Sequence, residues 1–288
     1  MRARLGEVLD KKGLKVGHYV GDFTVPGIGY ILKEAGAEYV FFDMEHAGNG
    51  YETLQRCLRY FEAAGLPAMV RVPSDSYDHI ARALDCGADA VVIPMVGTAD
   101  QARAIVDKMK YTPQGSRGVA LALANDRYKM GPVAEALADA NDRTKLVCLI
   151  ETAEGVANVD AIAAVDGVDV LWVGHFDLTC SMGIPAQFDH PDFTAALAKV
   201  LKAGQTHNKG LGRMVADVAS GVALAEEGWD LIIYHGDVWL YQTALRQGID
   251  GIRSGFAEKA KTGKKASQGK ADKGKADKGK AAKKPKKK

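Results

Sequence analysis

Three ionisable residues follow a run of apolar residues in the first sixth of the chain. The stretch FFDMEHAGNG, residues 41–50, passes from two phenylalanines into Asp43, Glu45 and His46 and then into glycines. Burying such groups without partners costs several kcal/mol. Either these groups are exposed at the rim of the fold, or they are placed there to take part in chemistry.

An arginine and two more carboxylates stand in the same kind of position. Arg71 lies near the end of PAMVRV, Glu151 follows KLVCLI, and Asp177 follows DVLWVG. Glu151 and Asp177 are 26 residues apart, about one strand and one helix, so their carboxylates should be neighbours. Neighbouring carboxylates repel unless a cation or a proton separates them, so the pair predicts a Mg²⁺ or Mn²⁺ site with vacant positions. The alternative for either residue alone is that it caps the following helix.

Eight apolar segments would place these residues at strand ends. They are residues 14–20, 38–44, 67–72, 89–96, 145–152, 169–174, 210–215 and 230–236. Segments with apolar residues three or four apart, typical of helices, lie between them. Continuous Val/Ile-rich strands separated by helices indicate a parallel sheet covered on its faces, and eight such units indicate a (β/α)8 TIM barrel. Active sites of such barrels lie at the carboxyl ends of the strands.

Two other interpretations of the elements remain open. A doubly wound sheet would need a Gly-rich phosphate turn after the first strand, and HYVGDFTVPGIG at 18–29 is a poor match. The short run GVALA at 118–122 could be an extra strand, in which case Glu151 would follow the sixth strand and not the fifth. We favour the barrel.

The composition indicates a soluble, cytoplasmic protein. No run approaches the roughly 18 apolar residues of a membrane span. The first residues, MRARLGEVLDKKG, lack the apolar core of a signal peptide. Because Cys57, Cys86, Cys148 and Cys180 show no paired spacing, we expect buried, reduced thiols and neither disulfides nor a zinc site.

Charge is divided unevenly between two predicted domains. Residues 1–257, the barrel domain, contain 24 basic and 33 acidic residues. Residues 258–288 contain 14 lysines, three acids and no large apolar residue, with GKADK repeated. This composition predicts a disordered tail. The tail either keeps the protein in solution or binds a polyanion such as nucleic acid or an anionic membrane surface.

A set of motifs in this order resembles the HpcH/HpaI class II pyruvate aldolases. The motifs are DMEHAG (43–48), VRVP (70–73), LDCGADAVVIPMV (84–96), PQGSRG (113–118), IETAEGVANVDAI (150–162) and GVDVLWVGHFDL (167–178). The similarity spans about residues 5–255, and the tail lies outside it. The resemblance implies a (β/α)8 barrel and aldol cleavage that depends on Mg²⁺, Mn²⁺ or Co²⁺. It also implies an oligomer, commonly a hexamer, with the last helix exchanged between subunits.

The resemblance further implies roles at the metal. Glu151 and Asp177 would hold the cation. His46 would be the acid and base, oriented by Asp43. Arg71 would bind the keto or enolate oxygen of the substrate.

Other roles implied by the resemblance lie around that centre. Asp85 would be a further catalytic residue near a subunit boundary. Glu45 would support its loop structurally. The substrate carboxylate would meet backbone N–H groups in a pocket lined by Gly174, His175, Phe176 and Asp177.

These residue types suit aldol chemistry on a 2-oxo acid and an aldehyde. A cation that is chelated by the carboxylate and keto oxygens of pyruvate makes removal of a methyl proton feasible near neutral pH. A histidine can move the proton of the aldol hydroxyl, and an arginine supplies fixed positive charge where the enolate develops. The rival lysine Schiff-base mechanism fits poorly, because Lys145 and Lys209 fall at the starts of strands.

Departures from the family pattern leave the substrate open. His175 and Phe176 stand where many members have Pro and then Ala or Asn, and Leu149 stands where many have Gln. Two alternative functions also remain. A lyase for malyl- or citramalyl-type thioesters would share the barrel and the carboxylate pair, and a polyanion-binding protein would depend on the tail alone.

Overall fold

The computed structural model describes residues 4–280, with side chains described for residues 4–260. All eight predicted segments are strands, and they pair in parallel in chain order to form a closed barrel. The strands are β1 Lys15–Val20, β2 Tyr39–Asp43, β3 Ala68–Arg71, β4 Ala90–Ile93, β5 Lys145–Ile150, β6 Val170–Val173, β7 Gly210–Val215 and β8 Leu231–Gly236. The predicted (β/α)8 fold is therefore confirmed. Residues 118–122 are not a strand, so Glu151 follows β5.

Helices precede the first strand and connect the strands of the barrel. They are α1 Leu5–Leu9, α2 Ile28–Glu34, α3 Tyr51–Ala63, α4 Tyr77–Asp85, α5 Ala99–Met109, α6 Val133–Arg143, α7 Ala153–Ala157, α8 Val159–Ala163, α9 His175–Ser181, α10 Pro191–Thr206 and α11 Val218–Glu227. α1 precedes the first strand and packs against the interior core through Leu5 and Val8, and the other helices of this set lie between the strands. A twelfth helix, α12 Asp237–Lys280, follows β8.

Strand side chains alternate between two apolar cores. Successive side chains of a strand point to opposite faces, so one set fills the barrel and the other packs under the helices. The interior set includes Tyr39, Met69, Val147 and Trp172. Leu149 belongs to it and lies two residues before Glu151, on the same face of the chain. The interior is thus apolar up to the level at which the charged residues begin.

A buried carboxylate fixes the loop after β1 next to the end of β8. Asp237 is 4% exposed. Its Oδ2 accepts hydrogen bonds from the backbone N–H groups of Gly21, Asp22 and Phe23, at 3.0, 2.9 and 2.8 Å. Hydrogen bonds to a charged acceptor are about twice as strong as neutral ones, so this contact supports closure of the barrel between its first and last strands.

The last helix runs through most of the Lys-rich tail. α12 extends to Lys280, and residues 281–288 lie outside the described residues. The composition of residues 258–288 predicts disorder, and this stays a prediction; a helical backbone to Lys280 accords with the high helix propensity of alanine and lysine. Residues from Trp239 onward form a unit of their own, and the barrel unit ends at Val238. No helix within the described residues is long and apolar enough to cross a membrane.

The four cysteines are free thiols. Cys57 and Cys148 are buried as expected, whereas Cys86 is half-buried and Cys180 is exposed. Burial raises the pKa of the Cys57 thiol to about 11 and that of Cys148 to about 12. Such thiols are protonated and unreactive at neutral pH.

Candidate active site

Asp43 at the end of β2 and Arg71 at the end of β3 form a salt bridge at the rim formed by the carboxyl ends of the strands. The register of these strands sets Asp43 opposite Arg71. Arg71 donates from Nε to Oδ1 of Asp43 at 2.7 Å and from Nη2 to Oδ2 at 2.9 Å. The Asp43 side chain is fully buried and that of Arg71 is 13% exposed. Two parallel hydrogen bonds fix the plane of the guanidinium as well as its position.

Asp43 has three further donors. The Tyr19 hydroxyl donates to Oδ2 at 2.7 Å, and the backbone N–H groups of Glu45 and His46 donate at 3.1 and 3.2 Å. Burial raises the pKa of Asp43, but the hydrogen bonds and charge of Arg71, together with the Tyr19 hydrogen bond, outweigh it and hold the pKa below its usual value. Asp43 is therefore an ionised anchor for Arg71 and for the loop.

Glu45 lies between Arg71 and His46. Its Oε2 is 3.1 Å from Nη1 of Arg71 and 3.7 Å from Nε2 of His46. The His46 side chain is 62% exposed. The structure thus brings Asp43 to the backbone of His46 and Glu45 to its ring, whereas the sequence analysis expects Asp43 to orient that ring. Burial raises the pKa of Glu45, with Arg71 opposing the rise.

Glu151 lies at the end of β5, beside β6. Met95 donates its backbone N–H to Oε1 of Glu151 at 2.8 Å. Gly174 faces the other oxygen so closely that any side chain there would collide with Oε2. Burial raises the pKa of Glu151 to about 8, and the nearby charges of Asp177 and Glu45 add to the rise. This carboxylate needs a counter-charge to be ionised at neutral pH.

Asp177 is exposed in the first turn of α9, directly after β6. β5 and β6 are hydrogen-bonded neighbours, so Glu151 and Asp177 follow adjacent strands at the same rim. We call Asp43, Glu45, Arg71, Glu151 and Asp177 the rim cluster. Its carboxylates outnumber its single guanidinium, which makes the rim negatively charged and receptive to a cation.

Glu151 and Asp177 are the predicted metal ligands, and both follow strands that are neighbours in the barrel. Among the residues that the structure describes, no three His, Cys, Asp or Glu side chains form a group that could hold a metal. A cation held here would have two carboxylates as its protein ligands, and waters or substrate oxygens would fill the other positions, as Mg²⁺ prefers. The raised pKa of Glu151 supports this fit, because a bound cation supplies the missing counter-charge.

His175 lies in an aromatic cluster at the start of α9. Its ring centroid is 4.7 Å from that of Phe176 and 5.2 Å from that of Phe188. Burial lowers the pKa of His175 to about 4, and the positive charge of Arg213 contributes. The ring is therefore neutral at pH 7 and contributes an apolar surface next to Asp177, while Phe176 itself is exposed.

Asp85 forms a salt bridge outside the rim cluster. It lies at the end of α4 and forms a salt bridge with Arg117 of the PQGSRG loop. Arg117 is buried and stacks over the Tyr111 ring at 4.5 Å. No hydrogen bond or ion pair between described residues joins Asp85 to the rim cluster.

Sequence reasoning missed Tyr19 and assigned Glu45 only a supporting role. Tyr19 occupies an inward position of β1, and Glu45 lies two residues beyond Asp43, on the same side of an extended chain. That two-residue period was a usable signal for both residues. The tyrosine's contact with Asp43 additionally depends on the pairing of β1 with β2, which local pattern alone does not give.

The fold and the rim cluster define an enzyme of the (β/α)8 class, with its site at the carboxyl ends of the strands. Residues 26–232 match the model of the HpcH/HpaI aldolase/citrate lyase family, so the chain belongs to that family. Aldolases and citrate lyases both break carbon–carbon bonds. The chain is therefore a carbon–carbon lyase.

Relatives with assigned activities resemble nearly the whole barrel. A 2-keto-3-deoxy-L-rhamnonate aldolase from Klebsiella pneumoniae is 30% identical, with 79% of this chain and 85% of the relative aligned. A hydroxypyruvate/pyruvate aldolase from Paraburkholderia phytofirmans is 34% identical over 77% of this chain and 87% of the relative. The crystal structure of an HpcH/HpaI aldolase from Desulfitobacterium hafniense superposes with a TM-score of 0.82, at 32% identity, over 87% of this chain and 97% of that one.

Proposed function

We propose that the protein is a divalent-metal-dependent aldolase. It would reversibly cleave 4-hydroxy-2-oxo acids into pyruvate, or a related 2-oxo acid, and an aldehyde. The observation that carries this proposal is the guanidinium of Arg71, held by Asp43 and Glu45 in the same cluster as Glu151 and Asp177. Relatives named as aldolases for keto-deoxy sugar acids and for pyruvate support it.

Glu151 and Asp177 would hold the cation, which is Mg²⁺, Mn²⁺ or Co²⁺ in this proposal. When bound, it supplies Lewis-acid withdrawal of electrons from the 2-oxo group of the substrate. Glu151 is oriented for this task by the Met95 N–H on one oxygen, which leaves the other oxygen directed to the space beside Gly174.

Arg71 would stabilise the negative charge that develops on the substrate, and His46 would transfer the proton. In cleavage, the C4 hydroxyl gives up its proton as the C3–C4 bond breaks, and the electron pair of that bond moves towards the 2-oxo oxygen. The exposed imidazole of His46 accepts the hydroxyl proton, directly or through water. Arg71 stabilises the negative charge on the oxygen, and C3 then takes up a proton to give pyruvate.

The first turn of α9 would bind the substrate carboxylate. The first N–H groups of a helix have no intrahelical acceptor, and here they include those of Phe176 and Asp177. Gly174 and His175 would line the same pocket. The neutral, packed His175 and the exposed Phe176 give this side an apolar character that differs from the family pattern.

Identification of the products separates this proposal from its closest alternative. We expect metal-supplemented protein to release pyruvate from 4-hydroxy-2-oxo acids, detected with lactate dehydrogenase and NADH. A malyl- or citramalyl-thioester supplied in parallel should remain intact. Cleavage of the thioester alone would instead assign the chain to the thioester lyases of this fold.

We further propose a cytoplasmic homo-oligomer, a hexamer with the last helix exchanged between subunits. α12 carries exposed apolar side chains three or four residues apart, at Leu245, Ile249, Ile252 and Phe256, as in helices that pack against another chain. The free cysteines are those of a reducing compartment. The lysines of residues 258–288 would bind polyanions through charge alone.

A further inference from the structure

A cavity of about 570 Å³ opens at the amino-terminal face of the barrel, opposite the rim cluster. Residues around the starts of β1, β5, β7 and β8 line it, together with the segment after α1. Its volume lies within the range of about 300–1,000 Å³ typical of small-molecule sites. We call it the floor cavity.

Lysines dominate the floor cavity. Five of them line it, against three aspartates and no arginine: Lys11, Lys12, Lys15, Lys145 and Lys209, with Asp10, Asp169 and Asp230. This excess of positive charge contrasts with the barrel domain as a whole, in which acidic residues outnumber basic ones. The basic character is therefore local to this cavity.

Two of the three aspartates are already satisfied by the protein. Asp230 accepts from the N–H of Leu211 at 2.8 Å and from Nζ of Lys15 at 2.8 Å. Asp169 accepts from the N–H of Leu146 at 2.8 Å and lies 3.5 Å from Nζ of Lys145. These pairs neutralise one another and form the base of the cavity.

The remaining lysines have little compensation. Lys12 and Lys209 form no ion pair or side-chain hydrogen bond with any described residue, and Lys11 is 3.9 Å from Glu38. Asn208, which also lines the cavity, makes no side-chain hydrogen bond within the described residues. Free ammonium and amide donors that face one cavity form a potential anion site, opposed only by Asp10.

We propose that the floor cavity binds a small anion of the phosphate or polyphosphate class with two or more negative charges. Lysine acts towards phosphate as a point charge, whereas planar bidentate recognition of carboxylates favours arginine, which is absent from the lining. The site is separate from the rim cluster, and binding there does not depend on aldolase activity.

Calorimetric titration of full-length, metal-free protein with inorganic pyrophosphate tests the proposal. The wild type should bind one equivalent saturably in low salt. The Lys12→Gln/Lys209→Gln variant should bind at least tenfold more weakly, because two ammonium groups facing the ligand are lost. Aldolase activity should be unchanged, since neither lysine belongs to the rim cluster.

Matched controls separate this site from other positive charges. Lys33→Gln/Lys202→Gln removes two exposed lysines from α2 and α10 and leaves the tail intact, so it should retain the wild-type dissociation constant within about twofold. Arg71→Gln, which removes the positive charge of the rim cluster, should do the same, and this result would exclude binding at the rim. If the double floor variant does not fold by circular dichroism, Lys12→Gln alone, an exposed position, should still weaken binding severalfold.

Three results would overturn the proposal. The first is no saturable heat with wild-type protein. The second is equal weakening in the floor and control variants, which would indicate only diffuse attraction to lysines. The third is citrate bound through the same lysines as tightly as pyrophosphate, which would replace the phosphate assignment by a polycarboxylate one.

Discussion

At the scale of single residues, Arg71 connects two carboxylates with different tasks. Asp43 holds the guanidinium plane through two hydrogen bonds, and Glu45 approaches its remaining nitrogen at 3.1 Å. The arginine is thereby fixed by the protein alone, and in the proposed reaction it would need little reorganisation as negative charge develops.

Replacement of Arg71 by lysine should lower kcat by roughly 10²-fold, comparable to the loss of one preorganised oxyanion donor. A mobile ammonium cannot keep both hydrogen bonds to Asp43 and also face the substrate oxygen. The measurement is steady-state cleavage with metal-saturated protein, with circular dichroism to confirm folding. Arg82→Lys, an exposed change on α4, serves as the control and should retain kcat. Near-normal turnover of a folded Arg71→Lys variant would remove the arginine from the mechanism.

Replacement of Tyr19 tests whether its hydroxyl stabilises the ionised form of Asp43, because that stabilisation depends on pH. The pKa of Asp43 is below its usual value in the folded protein, so its ionisation stabilises the fold above about pH 4, and this contribution is lost as the pH falls through the folded-state pKa. Tyr19→Phe removes one hydrogen bond to the charged form, and we expect it to cost about 1–3 kcal/mol of stability at pH 7. The difference from wild type should shrink as the pH falls through the folded-state pKa of Asp43.

Urea denaturation at pH 7 and at an acidic pH below the folded-state pKa of Asp43 measures this difference. Tyr30→Phe, on the exposed side of α2, is the matched loss of a hydroxyl and should be neutral at both values. A cost of Tyr19→Phe that does not change with pH would mean that the hydroxyl serves packing and not the carboxylate.

Much of the rim cluster could be predicted from the sequence, because polar residues that end apolar runs must emerge at one rim of a parallel barrel. Arg71, Glu151 and Asp177 were found in this way. The side chains that each of these residues contacts could not be predicted from the sequence. Which carboxylate meets the His46 ring depends on the backbone path of residues 43–46, and the pairing of Asp85 with Arg117 depends on a loop without periodicity.

Among the secondary-structure elements, the junction of β5 with β6 and α9 positions the two carboxylates that we propose as metal ligands, Glu151 and Asp177. Gly174, the residue before α9, leaves a gap that Oε2 of Glu151 occupies. Its backbone conformation is extended, so the requirement for glycine here is steric and not conformational.

Gly174→Ala should therefore displace the Glu151 carboxylate without unfolding the barrel. We expect metal affinity to weaken about tenfold or more, the range seen when groups that orient a metal ligand are changed. Mn²⁺ titration followed by electron paramagnetic resonance measures this affinity. Gly221→Ala in α11, where the added methyl meets only ordinary contacts, should leave it unchanged. Unaltered Mn²⁺ binding by Gly174→Ala would contradict a ligand role for Glu151.

The strands could be predicted because each is a continuous apolar run bounded by polar residues. Eight such runs separated by helices are compatible with only a few sheet topologies. The short helices were harder to predict. α1 has five residues, too few for a helical period to be visible. The backbone of α12 continues to Lys280, because helix propensity alone can favour a helix where composition offers no core.

At the scale of the whole molecule, charge divides the chain into an acidic barrel domain and a basic tail. Truncation after Ala257 should leave kcat nearly unchanged and the melting temperature within about 2 °C, because no large apolar side chain is removed. It should abolish binding to heparin or duplex DNA, which in the full chain should weaken steeply with added salt. A large loss of aldolase activity would place the domain boundary further along α12.

The proposed chemistry requires that Glu151 and Asp177 hold a divalent cation during carbon–carbon cleavage. The most direct measurement is pyruvate release from a 4-hydroxy-2-oxo acid by metal-stripped protein, before and after addition of Mg²⁺, Mn²⁺ or Co²⁺. We expect no turnover in EDTA, recovery with added metal, and weaker metal binding with little recovery in Glu151→Gln, which loses a charged ligand. Full turnover by metal-stripped wild-type protein in excess EDTA would contradict the account.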